Sequence, residues 1–243
     1  MTVIQHLEEL RKRLIISLAA IAVCSIVGFV FYRRIFAFIL GPYRESVASL
    51  PVDARPTGAL AGKLVYSSPV EPFLTFLKVG FFSGFLVALP VVLYQLWRFI
   101  TPGLTTRERR LAVPFVVASV LLFAGGTLFA FVVAPRGLAF LFSFGGESLV
   151  PLLTVDRYLG FLIFLILAFG LGFELPLVLI FLAGARIVDS GQLRRWRRWA
   201  LLGTAIFAAV ATPTQDPYTM LLMWVPLYLL YEVAILVARL MKR

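Results

Sequence analysis

Residues Tyr158 to Ala183 read YLGFLIFLILAFGLGFELPLVLIFLA, 26 positions with a single charged side chain, Glu174. A hydrocarbon core about 30 Å thick is crossed by about 20 helical residues. A chain placed there must satisfy its own backbone N–H and C=O groups, and a helix does so within one segment. The stretch therefore reads as a membrane-spanning helix. Similar apolar runs lie outward from it, at Leu14–Tyr32, Phe73–Trp97, Leu111–Ala134, Trp199–Ala211 and Tyr218–Ala238. The expectation is an all-α, polytopic membrane protein with six transmembrane helices, forming one integral membrane domain over residues 1–243.

Composition agrees. The chain is 61% hydrophobic and 14% charged, with mean hydropathy +0.96. That leaves too little polar surface for a soluble globule of 243 residues. The first run is too long for a signal-peptide core and lacks a small-residue cleavage site, so it reads as retained. Cys24, the one cysteine, lies in that run, which excludes disulfides within the chain and cysteine metal clusters.

The net charge of +11 is distributed by side. Arg11, Lys12 and Arg13 precede the first run. Arg98, Arg107, Arg109 and Arg110 separate the second from the third, Arg186 and Arg194 to Arg198 the fourth from the fifth, and Arg239, Lys242 and Arg243 follow the sixth. In an alternating topology these clusters share one face, and the positive-inside rule makes it cytoplasmic, with both termini. Topology and attraction to anionic lipid account for the basic clusters without nucleic acid.

Thr2 and Gln5 fit a capping box, so the first helix is expected to start at the second residue and run unbroken into the membrane, with His6 to Arg13 as a charged stub. The loop Ile35 to Pro72 is proline-rich yet apolar, which suggests an ordered cap. The fifth run holds 13 residues, roughly 20 Å of helix, short of a full bilayer. No internal repeat supports an inverted-repeat transporter.

Few groups can carry chemistry. His6 is the only histidine and has no spaced partner for a metal. Glu174 precedes Leu175-Pro176, and a proline leaves a carbonyl unpaired and permits a bend. Either the acid is protonated and bonded to that freed backbone, or it serves function from a hydrated site, the reading preferred here. Glu232 is expected to pair with Arg239, Glu9 with Arg13 and Glu8 with Lys12. Thr105 and Glu108 fit a second capping box. Two acids at one cytoplasmic surface could receive two guanidinium groups.

The stub HLEELRKR at residues 6–13, LYQLWRFITPGL at 93–104 with Glu108-Arg109-Arg110, FGLGFELP at 169–176, and Thr212-Pro213 with Asp216-Pro217 together resemble the TatC family, the multi-spanning subunit of the twin-arginine protein translocase. The resemblance implies six helices with both termini cytoplasmic, arranged as a concave cup with short fifth and sixth helices, in the cytoplasmic (inner) membrane. It implies a receptor and core subunit, not an enzyme, that binds twin-arginine signal peptides. Folded proteins would be exported by the proton gradient with TatA- and TatB-type single-span partners in an oligomeric complex, without a cofactor.

Carried over by residue, the signal-peptide surface falls on Glu9, Leu10, Arg11, Phe99, Pro102, Glu108 and Arg109. Glu174 matches the family's intramembrane polar residue, Pro42 a proline of the first outside loop, and Ala209, Val210, Thr212 and Pro213 the partner-binding end of the fifth helix. The chain departs from the family at Asp156, shifted by about two residues, and at the turn before Asp216, one residue longer; no role is carried onto Asp156. The competing classes are an ion-coupled solute transporter using Glu174 and an intramembrane enzyme, which lacks a nucleophile and a metal set.

Overall fold

The computed structural model describes residues 3–51, 55–56, 58, 62–100, 112–144, 151–184, 187–211 and 217–240. Ten α-helices order these residues: α1 (Val3–Val30), α2 (Tyr32–Ile39), α3 (Gly41–Ala48), α4 (Glu71–Ile100), α5 (Ala112–Ser143), α6 (Val155–Phe173), α7 (Leu175–Gly184), α8 (Ser190–Arg195), α9 (Arg197–Ala211) and α10 (Pro217–Leu240). Five segments are long and apolar enough to cross a membrane: Ile4–Val30, Glu71–Phe99, Val113–Ser143, Val155–Gly184 and Pro217–Leu240. The protein is a multi-pass helical membrane protein.

The fifth apolar run forms α9, 15 residues and roughly 22 Å. The sixth, expected to be short as well, is a helix of 24 residues, the shortest of the five long segments yet sufficient for a bilayer. Pro226 inside α10 does not end it. Shortness therefore belongs to α9.

The chain divides into two compact units, Met1–Phe38 with Phe73–Leu121 and Ile39–Pro72 with Leu122–Arg243. In the first, α1 crosses α4 at backbone distance. A Cβ built on Gly28 would collide with Ser83 Oγ and the Gly80 carbonyl, and one on Gly84 would collide with the Ser25 backbone. In hydrocarbon, where lipid is as apolar as leucine, such small-residue crossings let dispersion contacts hold helices together. Phe29 fills the space over Gly80 and lies 5.0 Å from Phe76 and 5.2 Å from Phe81, centroid to centroid.

In the second unit α5 and α6 cross in the same manner, with Gly126 against the Phe169 carbonyl and Gly170 beneath the Phe123 ring. The loop expected as an ordered cap contains α3, whose Pro42 is buried near the start of the helix. Arg55 closes α3 by donating to the carbonyls of Leu50 at 2.8 Å and Ala48 at 2.6 Å. Val65 then pairs in parallel with Thr154, its N–H donating to Leu153 O at 3.2 Å and its carbonyl accepting from Val155 N at 2.8 Å. Glu71, 6% exposed, ties the same corner by accepting from Ser67 N at 2.7 Å and Asp156 N at 2.9 Å. Tyr158 donates from its hydroxyl to Ile39 O.

Long helix α10 packs most extensively on α7 and α9. Leu193, Tyr231, Ile235 and Ala238 form a buried cluster there, and the Tyr231 hydroxyl donates to Leu193 O at 2.7 Å.

Two glycines make the crossing testable. Gly84→Leu forces α1 away from α4 and should cost about 1–3 kcal/mol or more. Gly160, also helical but with nothing within 4 Å of its missing Cβ, should accept leucine without loss. Thermal unfolding of both variants in detergent gives the comparison, and equal melting temperatures would show that the crossing is not tight.

Candidate functional site

The stub of α1 precedes its apolar stretch, and among the described residues its side chains meet the end of α4 at Gln95 and Phe99. Glu9 and Arg13 lie one helical turn apart and pair as expected, Arg13 Nη2 to Glu9 Oε1 at 2.9 Å. The bond is sheltered: the Arg13 side chain is 12% exposed and that of Glu9 18%. Arg13 Nη1 also donates to Gln95 Oε1 at 3.1 Å, and Gln95 itself is buried. Arg13 thus holds the acid of its own helix and an amide of α4 with one planar guanidinium.

One turn along each helix, His6 stacks on Phe99 with ring centroids 4.4 Å apart and 25° between planes. Trp97 is fixed beside them in sequence by donating from its indole N–H to Ser119 Oγ at 3.1 Å. Leu10 and Arg11 are exposed on the stub. The structure therefore brings Glu9, Leu10, Arg11 and Phe99 to one end of the first unit. Pro102, Glu108 and Arg109 lie outside the described residues, as do Thr105 and the Asp216 turn.

Gln95 and His6 were not singled out as site residues from sequence. Gln95 does carry a signal: it is a polar residue in an apolar run, four positions before Phe99 and so on the same helix face. Its partner could not be read, because Arg13 is 82 positions away.

Glu174 stands where the bend was expected. It separates α6 from α7, with φ −73° and ψ −18°. Its N–H donates to Leu171 O at 3.1 Å, and its carbonyl accepts from Val178 N at 3.1 Å. The side chain is half-buried, with Oε1 shielded from solvent.

Glu232 corrects an expectation. Its partner is Arg197, Nη2 to Oε2 at 2.6 Å, not Arg239, and the Tyr228 hydroxyl donates to Oε1 at 2.9 Å. Two turns of helix separate Glu232 from Arg239, whereas α9 brings Arg197 directly alongside. Ala209 is half-buried and Val210 is 76% exposed at the end of α9; Thr212 and Pro213 lie outside the described residues.

Together the helices and the polar groups at their ends define a polytopic membrane protein with a cluster of polar and aromatic side chains at one end of its first unit. The family model described as "Sec-independent protein translocase protein (TatC)" matches residues 5–226. A TatC of Frankia casuarinae is 42% identical over 243 residues, all of this chain and 67% of the relative. One of Corynebacterium kroppenstedtii is 39% identical over 258 residues, and this chain spans 62% of its length. One of Aquifex aeolicus is 37% identical over 246 residues, all of this chain and 97% of the relative. A crystal structure described as the twin-arginine translocase receptor TatC aligns over 98% of this chain and 100% of its own, with TM-score 0.79 and 37% identity. The chain belongs to the TatC family of Sec-independent protein translocase proteins.

The polar bridge of the first unit can be measured. Gln95→Leu leaves the sheltered Arg13 short of an acceptor and should destabilise by about 1–3 kcal/mol. Arg197→Gln breaks a more exposed pair and should cost no more than about 1 kcal/mol. Unfolding of the two variants side by side in detergent tests the order, and the reverse order would show that the Arg13 bridge is not structural.

Proposed function

We propose that this protein is the signal-peptide receptor and core subunit of a twin-arginine translocase in the cytoplasmic membrane, with both termini cytoplasmic, and that it performs no chemistry of its own. The observation that carries the reading is Glu9. It is a carboxylate held near a helix end by Arg13, which is itself anchored to Gln95, one turn along α1 from the His6–Phe99 stack. An ionised carboxylate has about four lone-pair sites on two oxygens. Arg13 is bonded to Oε1, so the second oxygen supplies acceptor capacity for an incoming guanidinium.

Two arginines in sequence need two acids, and Glu108 is the second in this reading, with Arg109 and Pro102 assigned to the same surface by the family resemblance. Leu10 and Phe99 supply apolar contact for the rest of the peptide. Family membership and the naming of a solved relative as a twin-arginine translocase receptor support the same assignment. Single-span subunits of the TatA and TatB type dock at the end of α9, where a helix of 15 residues leaves hydrocarbon mismatch that an added helix relieves. Folded cargo then crosses under the proton gradient, with Glu174 serving that step from a hydrated position.

Glu9→Gln removes the charge and keeps the shape, so affinity for a twin-arginine peptide should fall roughly 10- to 150-fold, the loss of a charge-assisted hydrogen bond. Isothermal titration of the purified chain measures this, and unchanged affinity would overturn the receptor site. Glu174→Gln should leave peptide affinity intact while lowering export of a folded reporter. In a background lacking Cys24, a cysteine at Val210 should crosslink to a single-span partner more than one at Leu128, which is similarly exposed on α5. Equal crosslinking would remove α9 as the docking surface.

A further inference from the structure

An apolar cleft of about 540 Å³ opens in the second unit among α6, α7, α9 and α10, within the ordinary size range of small-ligand sites. Leu171, Trp196, Trp199, Gly203, Phe207 and Tyr231 are among its walls, and it is almost wholly non-polar. Two of these walls face outward, Trp199 being 72% and Leu171 62% exposed. Water gains little in such a space, which offers it few polar partners. In a bilayer the adjoining medium is hydrocarbon.

We infer that this cleft binds one anionic phospholipid, its acyl chain lying along Gly203 between Trp199 and Phe207 and its phosphate at Arg194, Arg195 and Arg198. The shape of the floor argues for a chain and against a helix. Gly203 is a glycine inside a helix, about 1 kcal/mol poorer there than alanine, and nothing lies within 4 Å of where its Cβ would be. Packing within the described residues does not account for it. The close approach of a second helix needs small residues one turn away, but the residues four before and four after Gly203 are Trp199 and Phe207. The small residues Ala200 and Thr204 also line the cleft but lie deeper in it, Ala200 packed partly on the Leu193–Tyr231 cluster and Thr204 buried. What remains open above Gly203 is a notch flanked along α9 by Trp199 and Phe207.

Charge completes the site. Arg194, Arg195 and Arg198 are exposed, alternate in sequence with the two tryptophans, and make no hydrogen bond or ion pair among the described residues, whereas Arg197 is taken by Glu232. Tryptophans sit at headgroup level in membrane proteins, and guanidinium groups at that depth meet lipid phosphate with charge-assisted hydrogen bonds. This inference rests on the membrane placement and not on the peptide-receptor reading.

The test is native mass spectrometry of the full chain in detergent, titrated with dioleoylphosphatidylglycerol and dioleoylphosphatidylcholine. The first phosphatidylglycerol adduct should form at about tenfold lower lipid concentration than the phosphatidylcholine adduct, a preference of the size a few basic residues confer. Gly203→Leu fills the notch and should raise the concentration needed for both lipids at least fivefold, by excluding the chain. Gly160→Leu, the same change at an open glycine away from the cleft, should leave both unchanged. Changing Arg194, Arg195 and Arg198 together to Gln should abolish the preference and spare phosphatidylcholine binding.

Glycerol phosphate, which has the headgroup charge and no chain, should not compete; competition would reduce the site to a phosphate site and overturn the proposal. Unchanged lipid binding in Gly203→Leu would also overturn it, as would loss of a single-span partner from that variant with lipid binding intact, which would make the cleft a helix site. A measurement on the unmutated chain stands apart from folding of any variant: acyl chains brominated at mid-length should quench its tryptophan fluorescence more as phosphatidylglycerol than as phosphatidylcholine. Equal quenching by the two would count against the site.

Discussion

Backbone polarity in a medium without water is the constraint on which this structure depends. Each unsatisfied N–H or C=O in hydrocarbon costs several kcal/mol, so the long segments are helical and their interruptions occur where an alternative bond is at hand. The junction at Glu174 shows this: Pro176 cannot donate to the Gly172 carbonyl four residues back, and the Glu174 N–H, turned to the Gly172 and Leu171 carbonyls, closes α6 before the chain resumes as α7. Regularity of the helices also sets how they can meet. With no hydrophobic gain in leaving lipid, association comes from close contact, and glycine and serine appear at the α1–α4 crossing and glycine at the α5–α6 crossing.

Polar side chains collect at the ends of the helices and work in pairs that span two elements. Arg13 joins α1 to α4 through Gln95, and Arg197 joins α9 to α10 through Glu232. The two pairs differ in shelter, and with it in consequence. The Arg13 bond is largely out of solvent and its removal strands a charge, whereas the Arg197 bond is partly exposed and screened. A sheltered bridge of this kind gives Glu9 a defined position, and in the receptor role proposed above that position matters because a bidentate guanidinium fork tolerates little misplacement. Glu71 has a different duty, receiving N–H groups from Ser67 and Asp156 to pin the connection before α4 to the start of α6.

Much was legible from sequence alone. The apolar runs, an interruption of the helix beside Pro176, a helical segment within the first long loop and the Glu9–Arg13 pair all follow from local rules of length, periodicity and spacing, and the described residues contain each of them, whereas the cap expected at Thr2 lies outside them. The family was readable because its motifs are distributed along the chain in order. The resemblance implied a short sixth helix as well as a short fifth, but α10 has 24 residues.

Spacing within one helix determines which side chains share its face, and that is a property of the sequence by itself. Which face of a second helix lies opposite is decided only by tertiary packing. Glu232 had an arginine of suitable sign two turns along its own helix, yet α9 places Arg197 at 2.6 Å, and no local rule could choose between them. Gln95 and Phe99 acquire Arg13 and His6 as neighbours for the same reason. The notch at Gly203 is likewise invisible in sequence, where a glycine in an apolar run reads as a packing site; only the positions of α6, α7 and α10 leave the space above it open.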